Sequence, residues 1–289
     1  MPDWLLNFPN QIHINIVDPI DNAIHYILVN WDVFFDGLKS VLGTFINAIG
    51  SVVNLIPWWL MILAVAVLTY RMTKKISRAV LYSLLLFFIG TMGLWSLMYQ
   101  TLTIIIASVI FSLLLGLPLG ILVASSKRAD AIVRPILDTM QTMPSFVYLI
   151  PAVMLLGTGN IPALLATTIY AVPPVIRLTS HGIQQVNSEV VEAAKAFGST
   201  KSQTLFKVQI PQAMPTIMTG VNQTIMMAIA MVVTSSMIGA RGLGSEVMIG
   251  INRLESGRGF AAGIAIVIVA IVMDRLTQGI YKKKEQESL

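Results

Sequence analysis

The sequence has no cysteine and few charged residues for its length. Of its 289 residues, 11% are Asp, Glu, Lys or Arg, whereas a soluble domain carries about 25%. So small a charged fraction cannot cover a globule of this size with solvated side chains, and 55% of the residues are hydrophobic. The composition therefore excludes a soluble enzyme, a nucleic-acid-binding domain and a disordered chain. It predicts a protein whose main solvent is lipid.

The missing cysteines exclude disulfides, thiolate metal sites and cysteine nucleophiles. The three histidines, His13, His25 and His181, are too few and too scattered for a histidine metal centre. We therefore expect no metal ligands, no catalytic residues and no cofactor held by this chain. The first 20 residues show neither a basic start nor a small-residue cleavage site, so no cleavable signal is predicted.

Hydrophobic runs predict an all-α polytopic membrane protein with about seven transmembrane helices. A spanning helix needs about 20 apolar residues, because the hydrocarbon core is about 30 Å thick. Seven stretches qualify, some of them marginally: 57–70, 79–98, 101–124, 140–156, 161–176, 215–238 and 260–280. The fourth and fifth are short and rich in proline, which predicts helices buried by their neighbours.

Basic residues predict the orientation of these spans. Lys and Arg occupy every second connection, within residues 71–78, 127–134, 177–207 and 282–284. Cytoplasmic loops carry such an excess, whereas residues 1–57 hold five Asp and one Lys. The outer connection 239–259 is the exception, with three Arg against two Glu. We expect the N-terminus outside and the C-terminus inside.

Residues 31–56 have an amphipathic helical pattern. Apolar side chains recur every three or four residues between Phe34 and Val53, and Asp32, Asp36 and Lys39 interrupt them. This spacing predicts a helix that lies in the plane of the membrane interface. The alternative is an eighth span, which would place charged side chains at a costly depth.

The longest cytoplasmic connection, residues 177–214, has a helical pattern of its own. A serine followed by glutamate starts a short helix, which Gly198 ends. A capping-box spacing at Thr200 starts a second helix, which Pro211 is expected to end. Two short helices joined at a glycine corner form a compact protrusion, here called the knob (residues 188–211).

The knob resembles the EAA signature of binding-protein-dependent ABC transporter permeases. That signature is Glu-Ala-Ala, three residues, Gly, nine residues and Ile-x-Leu-Pro. Its spacing is kept by Glu192, Ala193, Ala194, Gly198, Val208, Ile210 and Pro211. The resemblance implies a type I permease core whose coupling helix, the knob, docks on a separate ATP-hydrolysing subunit. The chain is then expected to divide into an interfacial segment (1–56), two accessory spans (57–98), a core of five spans (99–280) and a basic cytoplasmic tail (281–289).

Four further blocks, at 141–151, 171–179, 220–226 and 236–244, are similar to permeases for glycine betaine and related osmoprotectants. This resemblance implies an importer subunit in a bacterial cytoplasmic membrane. The implied partners are membrane lipid, a second copy of the chain, two ATPase subunits holding ATP and Mg²⁺, and a separate extracytoplasmic substrate-binding protein. No nucleic-acid partner is expected. The chain shows no Walker A loop, so the ATPase is expected to be a separate subunit, and we expect the substrate-binding domain to be a separate protein as well.

Four residues are candidates for the translocation path: Tyr148, Asn222, Gln223 and Met226. Tyrosine can bind a quaternary ammonium through cation–π contacts, but it also anchors helices at the membrane interface. Amides inside a span contact either a solute or a neighbouring helix. Methionine on a membrane helix is usually packing.

Three other functions remain open at this stage. The chain could be an ABC permease for another small solute, such as choline, carnitine, proline or methionine. It could be an ion-coupled secondary transporter, which would need ionisable residues inside its spans. Only Asp274 and Arg275, near the inner end of the last span, favour that reading. A purely structural subunit would leave the EAA spacing unexplained.

Overall fold

A computed structural model describes residues 15–287, with side chains as far as Gly279. These residues form helices joined by short turns, and none of them is in a strand. The predicted all-α fold is confirmed. The chain divides into two compact units, Met1–Val41 and Leu42–Leu289.

The first unit holds helix α1 (Val17–Asn30) and the beginning of α2 (Asp32–Leu55). None of the residues of α1 is buried. Helix α2 is one continuous helix of 24 residues, about 36 Å long at 1.5 Å per residue. Its length and composition would allow it to cross a membrane. The eighth span considered above is therefore compatible with the structure, and the interfacial placement stays a prediction.

Helices α3 (Trp58–Thr73) and α4 (Ile76–Thr91) form a hairpin of two short apolar helices. The predicted span 79–98 is wrong at its end, because the chain turns at residues 92–94 and α5 (Trp95–Ser125) begins there. Gly93 has a φ of +72° and its N–H donates to the Gly90 carbonyl. An apolar run gives no sign of such a turn, since composition continues unchanged through it.

The predicted span 140–156 is not one straight helix. Helix α6 (Lys127–Thr142) is followed by a 3₁₀ turn (Ser145–Tyr148) and α7 (Leu149–Leu156), and the two halves are bent by 112°. Met143 precedes Pro144 and has an extended backbone, with a ψ of 135°. Proline disfavours the helical conformation in the residue before it, which explains the break.

Three long helices form the centre of the second unit: α5, α8 (Asn160–Gln184) and α11 (Ile210–Ser235). Glycines let their backbones approach closely. A Cβ on Gly120 would lie 2.9 Å from the Ile176 carbonyl oxygen, and one on Gly220 would lie 3.2 Å from the Pro174 carbonyl oxygen. Small residues at such contacts are the usual means of packing helices in lipid.

Helix α8 contains the predicted span 161–176, and its prolines Pro162, Pro173 and Pro174 are all buried. The expected burial of this proline-rich span is therefore confirmed. Proline is tolerated inside a membrane helix where protein neighbours surround it, as the burial of these rings indicates.

Two helices complete the second unit: α12 (Leu243–Asn252) and α13 (Ser256–Glu287). They pack as a hairpin in which Arg258 forms ion pairs with Glu246 of α12 and with Glu255 in the turn. Within residues 15–287, five helices are long and apolar enough to cross a membrane, and six if the bent pair counts as one span. Together with the shorter α3 and α4, this agrees approximately with the seven predicted spans.

We predict that Gly120→Ala destabilises the protein by about 1–3 kcal/mol, the usual cost of overpacking a core. The new methyl would lie 2.6 Å from Thr179 Cβ and would also press on backbone. Gly263→Ala is the matched control, because it is also on a long apolar helix and has nothing within 4 Å of the added Cβ. Thermal unfolding of the detergent-solubilised variants measures both. Equal midpoints would contradict the close α5–α8 contact.

Candidate functional site

The knob begins with helix α9 (Ser188–Ala196), which is capped at both ends. Asn187 is the N-cap, and its Oδ1 accepts the Glu189 N–H at 2.9 Å. Gly198 has a φ of +82°, in the left-handed region that glycine adopts without strain. Its N–H donates to the Lys195 carbonyl at 2.9 Å. The predicted helix start and glycine end are both confirmed.

Hydrogen bonds fix the corner after Gly198. Thr200 N–H donates to Gln203 Oε1 at 2.8 Å, and Gln203 N–H donates to Thr200 Oγ1 at 3.3 Å. This is the predicted capping box. The hydroxyls of Ser199 and Thr204 lie 2.9 Å apart, and the Ser199 hydroxyl also reaches the Ala194 carbonyl. The turn therefore has a defined shape.

The expected end of the second knob helix at Pro211 is wrong. A single α-turn, α10 (Lys201–Thr204), continues as a π-turn (Leu205–Gln209) directly into α11. In the π-turn the Ile210 N–H donates to the Leu205 carbonyl, five residues back. Pro211 then occupies the first turn of α11, where its missing N–H is tolerated.

The predicted connection 177–214 begins inside a helix. Helix α8 continues to Gln184, so Arg177 and His181 lie on a helix and not in a loop. Only residues 185–187 and 197–200 of the connection are outside helices.

The knob exposes most of its signature residues. Glu192, Ala193, Gly198 and Pro211 are exposed, and the other members of the signature, Ala194, Val208 and Ile210, are half-buried. No side chain of α9 is buried. An exposed helix with two small residues in succession lets a partner's backbone approach closely.

Two aromatic residues of the knob were not among the predicted site residues. Phe197 is 92% exposed and Phe206 is 59% exposed. The helical pattern places Phe197 on the apolar face of the first knob helix, and the structure leaves this ring uncovered. Large exposed aromatics are typical of the anchors of protein interfaces. One signal in the sequence could have identified Phe197: it is an aromatic residue in a short connection whose other residues are polar or small.

Tyr148, one of the translocation-path candidates, is buried between helices. It lies in the 3₁₀ turn at the α6–α7 bend, and its hydroxyl donates to the Met140 carbonyl. Its ring centroid is 5.8 Å from that of Tyr170 on α8, in an edge-on arrangement. The same apolar cluster includes Met231 of α11.

The other three candidates lie on α11 and differ in exposure. Asn222 is half-buried and its Nδ2 donates to Asp274 Oδ1 on α13 at 3.0 Å. Gln223 and Met226 are exposed. Asn222 is nine residues from Met231, about 13 Å along the helix, so the four candidates do not form one cluster.

A polar cavity of about 490 Å³ lies between α6 and α8. Its charged groups are paired: Arg134 binds both carboxylate oxygens of Asp130 at 2.8 and 2.9 Å, and Arg177 forms an ion pair with Asp138. Among the residues that the structure describes, no three His, Asp or Glu side chains are placed to hold a metal ion.

Comparison with known proteins gives consistent matches. A family model described as "Binding-protein-dependent transport system inner membrane component" matches residues 116–286. The chain is 45% identical over 285 residues to the glycine betaine/carnitine transport permease protein GbuB of Listeria monocytogenes, covering 96% of this chain and 100% of that one. It is 45% identical over 273 residues to the glycine betaine transport system permease protein OpuAB of Bacillus subtilis, covering 94% and 96%.

A third relative is the glycine betaine/proline betaine transport system permease protein ProW of Escherichia coli. It is 42% identical over 292 residues, covering 96% of this chain and 82% of that one. Among solved structures, the methionine ABC transporter MetNI in an inward-facing conformation matches with a TM-score of 0.57 and 21% identity. The match covers 64% of this chain and 93% of that one, and it shows a shared fold.

Proposed function

Because the chain belongs to the family of binding-protein-dependent transport system inner membrane components, we propose that it imports glycine betaine and related solutes as the permease subunit of an ATP-driven transporter. It is a multi-pass membrane subunit and not an enzyme. ATP hydrolysis and solute capture belong to ATPase and substrate-binding partners. The observation that carries the coupling role is the exposed EAA knob, whose second half continues as a helix into the core.

The proposed cargo class follows from what the relatives' names have in common. They name glycine betaine, carnitine, proline betaine, choline and trimethylamine N-oxide. Each of these solutes carries a positively charged nitrogen that has four substituents and no N–H. Four relatives that name glycine betaine are 40–45% identical to this chain, whereas those naming trimethylamine N-oxide or choline alone are at 33–37%, and one that names glycine betaine, carnitine and choline together is at 32%. Glycine betaine is therefore the first cargo to test.

The knob would convert closure of the ATPases into movement of the spans. A partner docked on α9 contacts an element whose corner is fixed by the Thr200 capping box. A push on that element reaches α11 without crossing a flexible loop, because α10, the π-turn and α11 are continuous. The spans then alternate between an inward-facing and an outward-facing state, and this equilibrium is biased by nucleotide at the cytoplasmic end and by the loaded receptor at the outer end.

The finer arrangement is also part of the proposal. Two copies of the chain would work with two ATPases that hold ATP and Mg²⁺, one separate receptor outside the membrane, and surrounding lipid. The basic connections would face the cytoplasm, with the N-terminus outside and the C-terminus inside. Charged pairs around the α6–α8 cavity, such as Arg177 and Asp138, would then lie on the cytoplasmic side.

The first experiment is uptake of labelled glycine betaine into vesicles that contain the chain with its ATPase and receptor. We expect accumulation only when ATP is supplied on the ATPase side, with competition by carnitine and proline betaine. ATP hydrolysis by the complex without any uptake of glycine betaine would contradict the proposed cargo. Uptake driven by an ion gradient, without ATPase, would contradict the whole proposal.

The orientation of the chain can be tested in the same vesicles. Protease should remove a carboxy-terminal tag only when it is added on the side that receives ATP.

A second experiment tests the knob as the docking surface. Phe197→Ala should weaken binding of the ATPase by about ten-fold or more, since truncation of an interface anchor costs at least about 1–2 kcal/mol. The thermal stability of the isolated chain should change little, because Phe197 is 92% exposed and buries almost none of its surface inside the protein.

Phe87→Ala is the control for that experiment, because it removes a ring that is 51% exposed on α4. It should bind the ATPase as the unchanged chain does. Equal affinities for the Phe197 and Phe87 variants would mean that the ATPase docks elsewhere.

A further inference from the structure

A carboxylate lies within the last long apolar helix. Asp274 is the only Asp or Glu in the four long apolar segments of the second unit, Trp95–Ser125, Asn160–Gln184, Lys201–Ile238 and Ser256–Gly279. Its side chain is 19% exposed. Charged residues inside membrane helices are costly, and they are retained mostly where they have a functional partner.

Two amides hold Asp274. Asn222 Nδ2 of α11 donates to Oδ1 at 3.0 Å, and Gln278 Nε2, one turn further on α13, donates to the same oxygen at 2.7 Å. The neighbouring Arg275 is less closely engaged: its Nε is 3.8 Å from Oδ2 and its side chain is 59% exposed. The bond from Asn222 is therefore the contact that joins Asp274 to another helix.

The geometry of Asn222 is not explained by packing alone. Its Oδ1 is buried and has no hydrogen-bond partner among the described residues. A buried acceptor without a partner is unfavourable, and a leucine of similar size would fill the same space without it. What the amide adds, and a leucine could not, is the hydrogen bond that it donates to Asp274.

The two helices joined by this bond have different connections. Helix α11 continues from the knob, and Asn222 is eleven residues beyond Pro211, about 16 Å along the axis. Helix α13 packs against α3, α4 and α12. Its Val269 and Val272 share an apolar cluster with Val65 of α3 and Leu86 of α4.

We propose that Asn222 is a positioning residue that carries the movement of α11 to α13 through its hydrogen bond to Asp274. This inference rests on the proposed transport function and names the route by which the knob reaches the last helix and the accessory hairpin. A merely stabilising contact would lower uptake and hydrolysis together. A transmitting contact sets how much solute moves for each ATP hydrolysed.

The test measures that ratio in vesicles containing the complete complex. Asn222→Leu should keep receptor-stimulated ATP hydrolysis but lower the solute moved per ATP by about five-fold or more, the lower range of typical coupling effects. Asp274→Asn keeps an oxygen that can accept the Asn222 N–H, so it should retain most of the ratio. Thr277→Val is the matched control, because the Thr277 hydroxyl bonds only to the Met273 carbonyl of its own helix.

A rescue experiment uses the absence of cysteine from the chain. The double variant Asn222→Cys, Asp274→Cys should hydrolyse ATP with a low transport ratio. A short bifunctional thiol reagent that joins only these two sulfurs should restore the ratio, and cleavage of the reagent should lower it again.

An unchanged ratio in Asn222→Leu would overturn the inference, and so would a cross-link that leaves the ratio low. If the unchanged chain shows no ATP-driven uptake, the proposed function fails instead. If Asn222→Leu does not fold, the cross-linked double variant decides between the two roles.

Discussion

The structure depends on one helical segment that continues without a loop from Lys201 in the knob to Ser235 deep in the core. Hydrocarbon offers no partner to a free N–H or C=O, so a chain entering the membrane must satisfy these groups internally. A helix meets this requirement, and a helix is also a stiff element. An element that is exposed at one end and packed in the core at the other can pass a displacement from the first to the second.

Packing decides which parts of the core move with that helix. Helices α8 and α11, which precede and follow the knob in the sequence, are in backbone contact at Gly182 and Gly220. A Cβ on Gly182 would lie 3.2 Å from the Ala213 carbonyl oxygen, and one on Gly220 would lie 3.2 Å from Val175 Cα. The knob therefore connects two helices that are closely packed against each other. Gly120 extends the contact to α5. Helices in such contact shift as a body, because no space exists for one to deform alone.

Local sequence rules predicted the knob well where local chemistry decides the structure. Gly198 needs a left-handed backbone and Thr200 completes a capping box with Gln203, and both depend only on neighbouring residues. Pro211 shows the limit of these rules. Proline is expected to end a helix, but the preceding π-turn moves the hydrogen bonds by one residue. Leu205 and Ile210 at its two ends pack on Ile183 and Ala213. Tertiary contacts of this kind are not visible in a local pattern.

The parts that the sequence could not predict are changes of direction and long-range partners. The turn at Gly93 and the bend at Pro144 lie inside or beside apolar runs, where composition stays the same while the chain changes course. The bond between Asn222 and Asp274 joins residues 52 positions apart. No periodicity relates such residues, so only the packing of α11 against α13 brings them together. The exposure of Phe197 also depends on long-range packing, because no other part of the chain covers its ring.

The most direct measurement of the central claim is the transport ratio after two glycines are inserted between Thr204 and Leu205, where α10 meets the π-turn. The capping box and the exposed face of α9 stay intact, so the ATPase should still dock and hydrolyse ATP. A flexible joint at this point should abolish most glycine betaine uptake per ATP. The same insertion at Lys74, in the α3–α4 turn, should leave the ratio unchanged. Undiminished uptake with the Thr204 insertion would contradict transmission of the ATPase movement through a continuous helix.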